Sequence, residues 1–78
     1  MPRGLNNWTF ADVKSFLQKR GFQLNGIEGG HHCFVGFYNS KQKQVTVSFH
    51  GAKAIHPRVL KSIVRQSGIP QKEWMKRI

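Results

Sequence analysis

Two stretches of the chain place their apolar residues at helical spacing, and the first lies near the N-terminus. Val13, Phe16 and Leu17 follow the i, i+3, i+4 spacing of one buried stripe. Thr9 precedes this stretch as an N-cap, with an acidic residue three positions later, which is the pattern of a capping box. Gly21 is the residue type that ends a helix in the left-handed conformation. The pattern therefore predicts a first helix between Thr9 and Gly21.

The second helical stripe lies in the C-terminal third of the chain. Its apolar face is formed by Leu60, Ile63, Val64 and Ser67. Pro57 fits the first turn of this helix, where its missing N–H is not needed. Gly68 closes the helix, and residues 70–78 are predicted to form a short final helix.

Three stretches between the two stripes predict strands. The predicted strands cover residues 22–28, 33–38 and 44–49. The last of them alternates between apolar and polar positions, which places Val45, Val47 and Phe49 on its inner face. Residues 39–41 carry the chemistry of a four- or five-residue turn. Residues 50–55 are predicted to form the loop that leads to the second helix.

These elements predict an α+β fold in the order α-β-β-β-α. Two helices cover the apolar face of a three-stranded antiparallel sheet, and a short C-terminal helix follows. Double-stranded RNA-binding domains share this architecture, although a fold alone does not give a function. We expect one domain over residues 1–78, with residues 1–7 as a loose arm.

Charge is the strongest signal in the composition. Thirteen Lys and Arg residues face three Asp and Glu residues, which gives a formal net charge of +10 on 78 residues. Such an excess indicates a negatively charged partner. Nucleic acid is the first candidate, an acidic protein is the second and an anionic membrane is the third. The membrane is disfavoured because the cations are spread along the chain and do not form one amphipathic helix.

The cysteine content and the hydropathy bear on location. Cys33 is the single cysteine, so no intrachain disulfide can form, which fits a reducing compartment. No apolar run is long enough to cross a bilayer, and we expect no leader sequence because no charged segment is followed by an apolar one. We therefore expect a soluble, cytoplasmic protein without a membrane contact.

The predicted N-terminus of the second long helix is the first candidate site. The basic side chains around it belong to Lys53, His56, Arg58 and Lys61. Free N–H groups and the positive end of the helix dipole bind anions there. We interpret this cluster as a phosphate-binding site for RNA. A solvated basic face is the structural alternative, and the charge of the whole chain favours the phosphate.

The second candidate site is Gly30-His31-His32, which follows Gly29. Histidine is the side chain best suited to accept and donate a proton near neutral pH. Neighbours in a strand point to opposite faces, so at most one of the two histidines lies on the open face. Both faces of the following strand are apolar, so the alternation does not decide which one. A structural histidine bonded to a backbone carbonyl is the alternative.

Several other chemistries are disfavoured. His31, His32, Cys33 and His50 lack the spacing of a zinc module, and adjacent strand residues diverge. Cys33 lies in an apolar run, where a thiol is inert. The chain has no Ser-His-Asp set, phosphate loop or paired carboxylates. Phe37 and its aromatic neighbours either stack on bases, as aromatic residues on open sheets do, or belong to the core.

Four segments resemble one family in their order and spacing. They are Gly21-Phe22, Glu28-Gly29-Gly30-His31-His32, Val45-Thr46-Val47-Ser48-Phe49-His50-Gly51 and Leu60-Lys61-Ser62-Ile63-Val64-Arg65-Gln66-Ser67-Gly68-Ile69. Together they resemble the HicA (YcfA-like) toxins of bacterial toxin–antitoxin pairs. Ser48 departs from the family pattern, because a proline is common at that position.

The resemblance implies a fold, an activity and a partner. The fold is that of double-stranded RNA-binding domains. The activity is a metal-independent endoribonuclease that cleaves mRNA off the ribosome without a small-molecule cofactor, and the partner is a HicB-type antitoxin. The family's catalytic histidine falls on His31. We expect Gly30 and His32 to contact the RNA beside it, with a structural role as the alternative for His32. Two other functions stay open: a non-catalytic RNA-binding module of the same fold, and a domain that docks an acidic protein.

Overall fold

The helices and strands follow one another in the predicted order. A computed structural model describes residues 7–49 and 53–76. Its elements are α1 (Phe10–Lys19), β1 (Gln23–Glu28), β2 (His31–Tyr38), β3 (Lys41–Ser48), α2 (Pro57–Ser67) and α3 (Gln71–Lys76). The predicted α+β class is confirmed. The expectations for residues 1–6, 50–52 and 77–78 lie outside the described residues.

Helix α1 begins and ends as its sequence predicts. The backbone N–H of Asp12 donates to Thr9 Oγ1 at 3.3 Å, and the Thr9 N–H donates to Asp12 Oδ2 at 2.9 Å, which completes the capping box. Gly21 has a φ of +88° beyond the last turn. The N–H of Phe22 bonds the Leu17 carbonyl at 2.9 Å, which turns Phe22 back into the core.

Helix α2 has the predicted apolar stripe, but one outer residue has a different role. Leu60, Ile63, Val64 and Ser67 are buried. Gln66 lies outside this stripe, and its Oε1 accepts the backbone N–H of Thr46 at 3.1 Å. This bond joins α2 to the outer edge of β3. The position of the Thr46 N–H, and not helical periodicity, therefore sets the direction of the Gln66 side chain.

The sheet is antiparallel throughout, with strand order β1-β2-β3. Both hairpins use two-residue turns, so the longer turn predicted at residues 39–41 is wrong. Asn39 and Ser40 have φ values of +54° and +64°, which match the type I′ turn that fits the twist of a hairpin. Because the turns are short, β2 begins at His31 and β3 at Lys41, which makes both strands longer than predicted.

One face of the sheet packs against the helices. Phe34, Val45 and Val47 are buried there against α1 and α2, and Trp74 of α3 stacks on Phe16 at 4.0 Å between ring centroids. Phe49, predicted to face inward, is 52% exposed. Its ring still packs edge-on against Phe10 of α1 at 5.0 Å, so Phe49 lies on the predicted side of the sheet, at the rim of the core.

The opposite face of the sheet is open. No described helix packs against it, and every residue of β1 is exposed. None of the helices in the described ranges has the length and apolarity needed to span a membrane.

Candidate functional site

His31 lies on the open face, at the start of β2. It is exposed, whereas Phe34, which projects from the opposite face of the same strand, is buried. Its cross-strand partners are Glu28 on β1 and Ser48 on β3. Directly paired residues project from the same face of a sheet. Three polar side chains therefore form a row across this end of the open face.

A hydrogen bond holds the His31 ring. Its Nδ1 lies 3.1 Å from Ser48 Oγ, and the ring tautomer decides which of the two donates. Either way the bond orients the imidazole and leaves Nε2 as the ring nitrogen available to a ligand. The sequence flagged Ser48 as a departure from the family pattern but did not connect it with His31. The strand register makes that connection.

Two glycines form the turn before His31. Gly29 and Gly30 have φ values of +55° and +84°, which side-chain-bearing residues rarely adopt in succession. The Gly30 carbonyl accepts the N–H of Phe49 at 3.0 Å. A Cβ at Gly30 would meet no atom within 4 Å. The backbone beside His31 is therefore open to an incoming ligand.

His32 lies on the other face of the sheet. Its half-buried ring packs edge-on against Phe10 at 4.6 Å and lies 5.8 Å from Phe49. Its Nδ1 is buried, with no hydrogen-bond partner among the described residues. The structure thus separates the two histidines that are adjacent in sequence. The role predicted for His32 as an RNA contact gains no support from this packing.

A shallow hollow of about 510 Å³ adjoins His31 on the open face. It is lined by Asn25, Gly26, Ile27, Glu28, His31, Cys33, Gln44 and Thr46. A β-bulge between Leu24 and Gly26 bends β1 at this point, and Gly26 contributes no side chain. Sequence reasoning missed the hollow, although the glycine inside a predicted strand was the available signal.

The predicted basic cluster surrounds the start of α2. Lys53, His56, Arg58 and Lys61 are all exposed there. His56 is the N-cap, because its Nδ1 accepts the Arg58 N–H at 3.1 Å. That bond occupies one of the helix N–H groups that was predicted to bind phosphate. The described part of the chain has no hydrogen bond between this cluster and His31.

Two other predicted features can be placed. Cys33 is a half-buried free thiol on the same face as His31. Within residues 7–49 and 53–76, no three His, Cys, Asp or Glu side chains come together as a metal site. His50, the fourth residue of the disfavoured zinc set, lies outside the described residues.

The fold and the charge define a small, basic α+β domain whose open sheet face carries one exposed histidine held by a serine. The family model described as the HicA toxin of bacterial toxin–antitoxin systems matches residues 10–69. The chain therefore belongs to the HicA toxin family, as the sequence resemblance indicated. Family membership implies a cognate antitoxin as its partner. Comparisons with curated proteins and with solved structures gave no match.

Proposed function

We propose that this toxin is a metal-independent endoribonuclease that cleaves mRNA in the cytoplasm, with His31 as its catalytic residue. The observation that carries the proposal is the exposed imidazole of His31, oriented by Ser48 at 3.1 Å on an otherwise open face. An exposed histidine fixed by a neighbouring hydroxyl has the geometry of a general acid or base. The open glycine turn beside it gives an RNA backbone room to approach.

The reaction needs few groups because RNA supplies its own nucleophile. The 2′-oxygen attacks the adjacent phosphorus and the bond from phosphorus to O5′ breaks, which yields a 2′,3′-cyclic phosphate and a 5′-hydroxyl. One proton leaves the 2′-OH and one joins the departing O5′. His31 Nε2 carries one of these two transfers and water carries the other. A single protein proton carrier predicts a slow enzyme.

Binding is assigned to the cations and inhibition to the antitoxin. Lys53, Arg58 and Lys61 are exposed and neutralise RNA phosphates. Gly30 offers its open backbone beside the reacting group. A HicB-type antitoxin, rich in acidic residues, covers His31 and competes with RNA for the cations.

His31→Ala tests the catalytic assignment, and His32→Ala is the matched control. The assay compares purified wild type and both variants on a labelled RNA, with and without EDTA. Loss of a general acid–base histidine lowers the rate by on the order of a hundred- to ten-thousand-fold. We therefore expect His31→Ala to lose cleavage and growth inhibition while it keeps most of its RNA affinity. His32→Ala should still cleave, EDTA should not inhibit, and the product should end in a 2′,3′-cyclic phosphate.

Each opposite outcome has a definite meaning. If His32→Ala is inactive and His31→Ala is not, the catalyst is the neighbouring histidine. If both variants cleave as fast as the wild type, the histidine mechanism is wrong. RNA binding without cleavage by the wild type would favour the non-catalytic RNA-binding module.

A further inference from the structure

We propose that the open face of the sheet reads the bases of single-stranded RNA along a path that runs from Phe37 to His31. The proposal rests on the proposed function in one respect, namely that RNA is the ligand. It adds the form of that RNA, the surface that contacts its bases and the residues that distinguish one base from another.

The first observation is the charge of the open face. The strand register places Gln23 and Glu28 of β1, His31, Cys33, Val35 and Phe37 of β2, and Gln42, Gln44, Thr46 and Ser48 of β3 on it. These residues include no Lys or Arg, although the chain carries thirteen. Lys41 and Lys43 pair with Tyr38 and Gly36 and so belong to the other face. Apart from the scissile phosphate at His31, a face without Lys or Arg is unsuited to a row of phosphates and suited to neutral bases.

The second observation is Phe37. Its side chain is 67% exposed near the turn that joins β2 to β3, where it contributes little to the core. Exposed aromatic rings on open sheets stack on the bases of single-stranded RNA. Phe37 and His31 are six residues apart on the same strand, which is an even number and corresponds to roughly 20 Å. One strand of RNA can therefore stack on Phe37 and present a phosphate several nucleotides away to His31.

The third observation is the hollow beside His31. A Cβ built on Gly26 meets no atom within 4 Å, and the φ of Gly26 lies outside the left-handed range. The hollow beside Gly26 could therefore accommodate a side chain, and the backbone conformation there does not require glycine. The amides of Asn25 and Gln44 and the hydroxyl of Thr46 line it. Amide side chains offer the paired donor and acceptor that a base edge requires. The hollow fits one nucleobase next to the scissile phosphate.

A protein partner is the other possible occupant of this face. The charge of the chain favours an acidic antitoxin that binds the exposed cations of α2 and covers His31 at the end of the face, whereas the rest of the face has no Lys or Arg with which to bind it. Continuity between the hollow and His31 also favours the substrate. Binding of the antitoxin by Phe37→Ser is therefore measured as well, to test whether the antitoxin occupies this face.

The test measures the binding of RNA hexamers whose 2′-oxygens are methylated, so that the wild-type toxin cannot cleave them. Dissociation constants are measured over a range of salt concentrations for wild type, Phe37→Ser, Gly26→Val and the double variant Lys53→Ala with Arg58→Ala. Met75→Ser removes an exposed apolar side chain from α3 and is the matched control. Thermal unfolding of each variant confirms that it is folded.

The variants separate stacking from charge. Loss of one stacked base weakens binding about five-fold or more. Phe37→Ser should show that loss with an unchanged salt slope, because no ionic contact is removed. The Lys53/Arg58 double variant should lower the slope itself. Gly26→Val, which fills the hollow, should reduce the differences in affinity among hexamers of different sequence. A duplex RNA should compete poorly, because its bases are stacked away from the face.

Two results would overturn the proposal. One is wild-type affinity in both Phe37→Ser and Gly26→Val. The other is a Phe37→Ser variant that loses the antitoxin but keeps the hexamer, since the face would then belong to the antitoxin. Because the hexamers cannot be cleaved, neither result depends on whether His31 is the catalyst.

Discussion

At the scale of single residues, the proposed chemistry depends on one hydrogen bond. Ser48 Oγ lies 3.1 Å from His31 Nδ1, and a proline, which is common at this position in the family the sequence resembles, has no hydroxyl with which to make this bond. A histidine with one nitrogen bonded has a defined tautomer and a defined ring orientation. On the proposed mechanism Ser48 is therefore a positioning residue, which acts through His31.

Ser48→Ala tests that role. A hydrogen bond of this kind contributes about 0.5–1.5 kcal/mol, so cleavage should fall about two- to ten-fold while RNA affinity stays unchanged. The ¹⁵N chemical shifts of the His31 ring should show a mixture of tautomers in place of one dominant form. Ser48→Thr keeps the hydroxyl and should restore both properties. A ring tautomer that is the same in Ser48→Ala and wild type would show that Ser48 does not position His31.

The two histidines show what the sequence can predict at this scale. Strand alternation correctly separated His31 from His32, because the pleat has a period of two. It did not decide which one faces solvent, because both faces of β2 are apolar in sequence. The structure decides it through Phe10 of α1, which packs on His32 at 4.6 Å. Packing between residues far apart in the chain leaves no local signal in the sequence. The use of His56 as a helix cap leaves none either.

At the scale of elements, α1 and the sheet meet through a glycine. Gly36 lies in the middle of β2, and a Cβ built there would come within 2.6–2.9 Å of Phe22, including its backbone Cα. The Schellman turn at the end of α1 directs Phe22 into this space. The close approach fixes the end of α1 against the strand that carries His31.

Gly36→Ala should therefore destabilise the domain. Overpacking of a core contact costs typically about 1–3 kcal/mol, and the backbone of Phe22 cannot move away as a flexible side chain would. Gly26→Ala is the control, because its Cβ meets no atom within 4 Å. Urea denaturation gives the free energy of unfolding for both variants. Equal stabilities would mean that α1 shifts freely over the sheet.

Element order and type were predictable, whereas lengths were less so. The capping box, the helix-ending glycines and the strand alternation are local signals, and the structure confirms each of them. The strand start at Lys41 was missed because Asn39-Ser40-Lys41 resembles a longer loop, and the start at His31 was missed because His31 and His32 were assigned to the turn that begins at Gly29. Type I′ geometry in a turn without glycine is set by the pairing of the flanking strands.

At the scale of the whole molecule, the excess of cations has few internal partners. Of the three acids, Asp12 closes the capping box and Glu73 pairs with Arg20 and Lys76 at 3.5 and 3.2 Å. Glu28 lies exposed beside His31. Three acids can offset at most three of the thirteen Lys and Arg charges, so a net charge of +10 remains whatever ion pairs they form. This excess of like charges destabilises the isolated toxin through self-repulsion, and we propose that an acidic antitoxin relieves that repulsion.

This balance predicts how the cognate antitoxin behaves. The affinity of the complex should fall as salt rises, since exposed charges are screened. Binding to the folded toxin alone stabilises it by mass action, by about 2.7 kcal/mol when free antitoxin is at 100 times its Kd, so the Tm should rise with antitoxin concentration. Cleavage of a labelled RNA should stop at one equivalent of antitoxin.

The Lys53/Arg58 double alanine variant should bind the antitoxin more weakly and with a smaller salt dependence, whereas Met75→Ser should match the wild type. A saturated complex that still cleaves RNA would place the antitoxin away from His31, and an affinity that does not change with salt would mean that apolar contacts, not the cations, hold it.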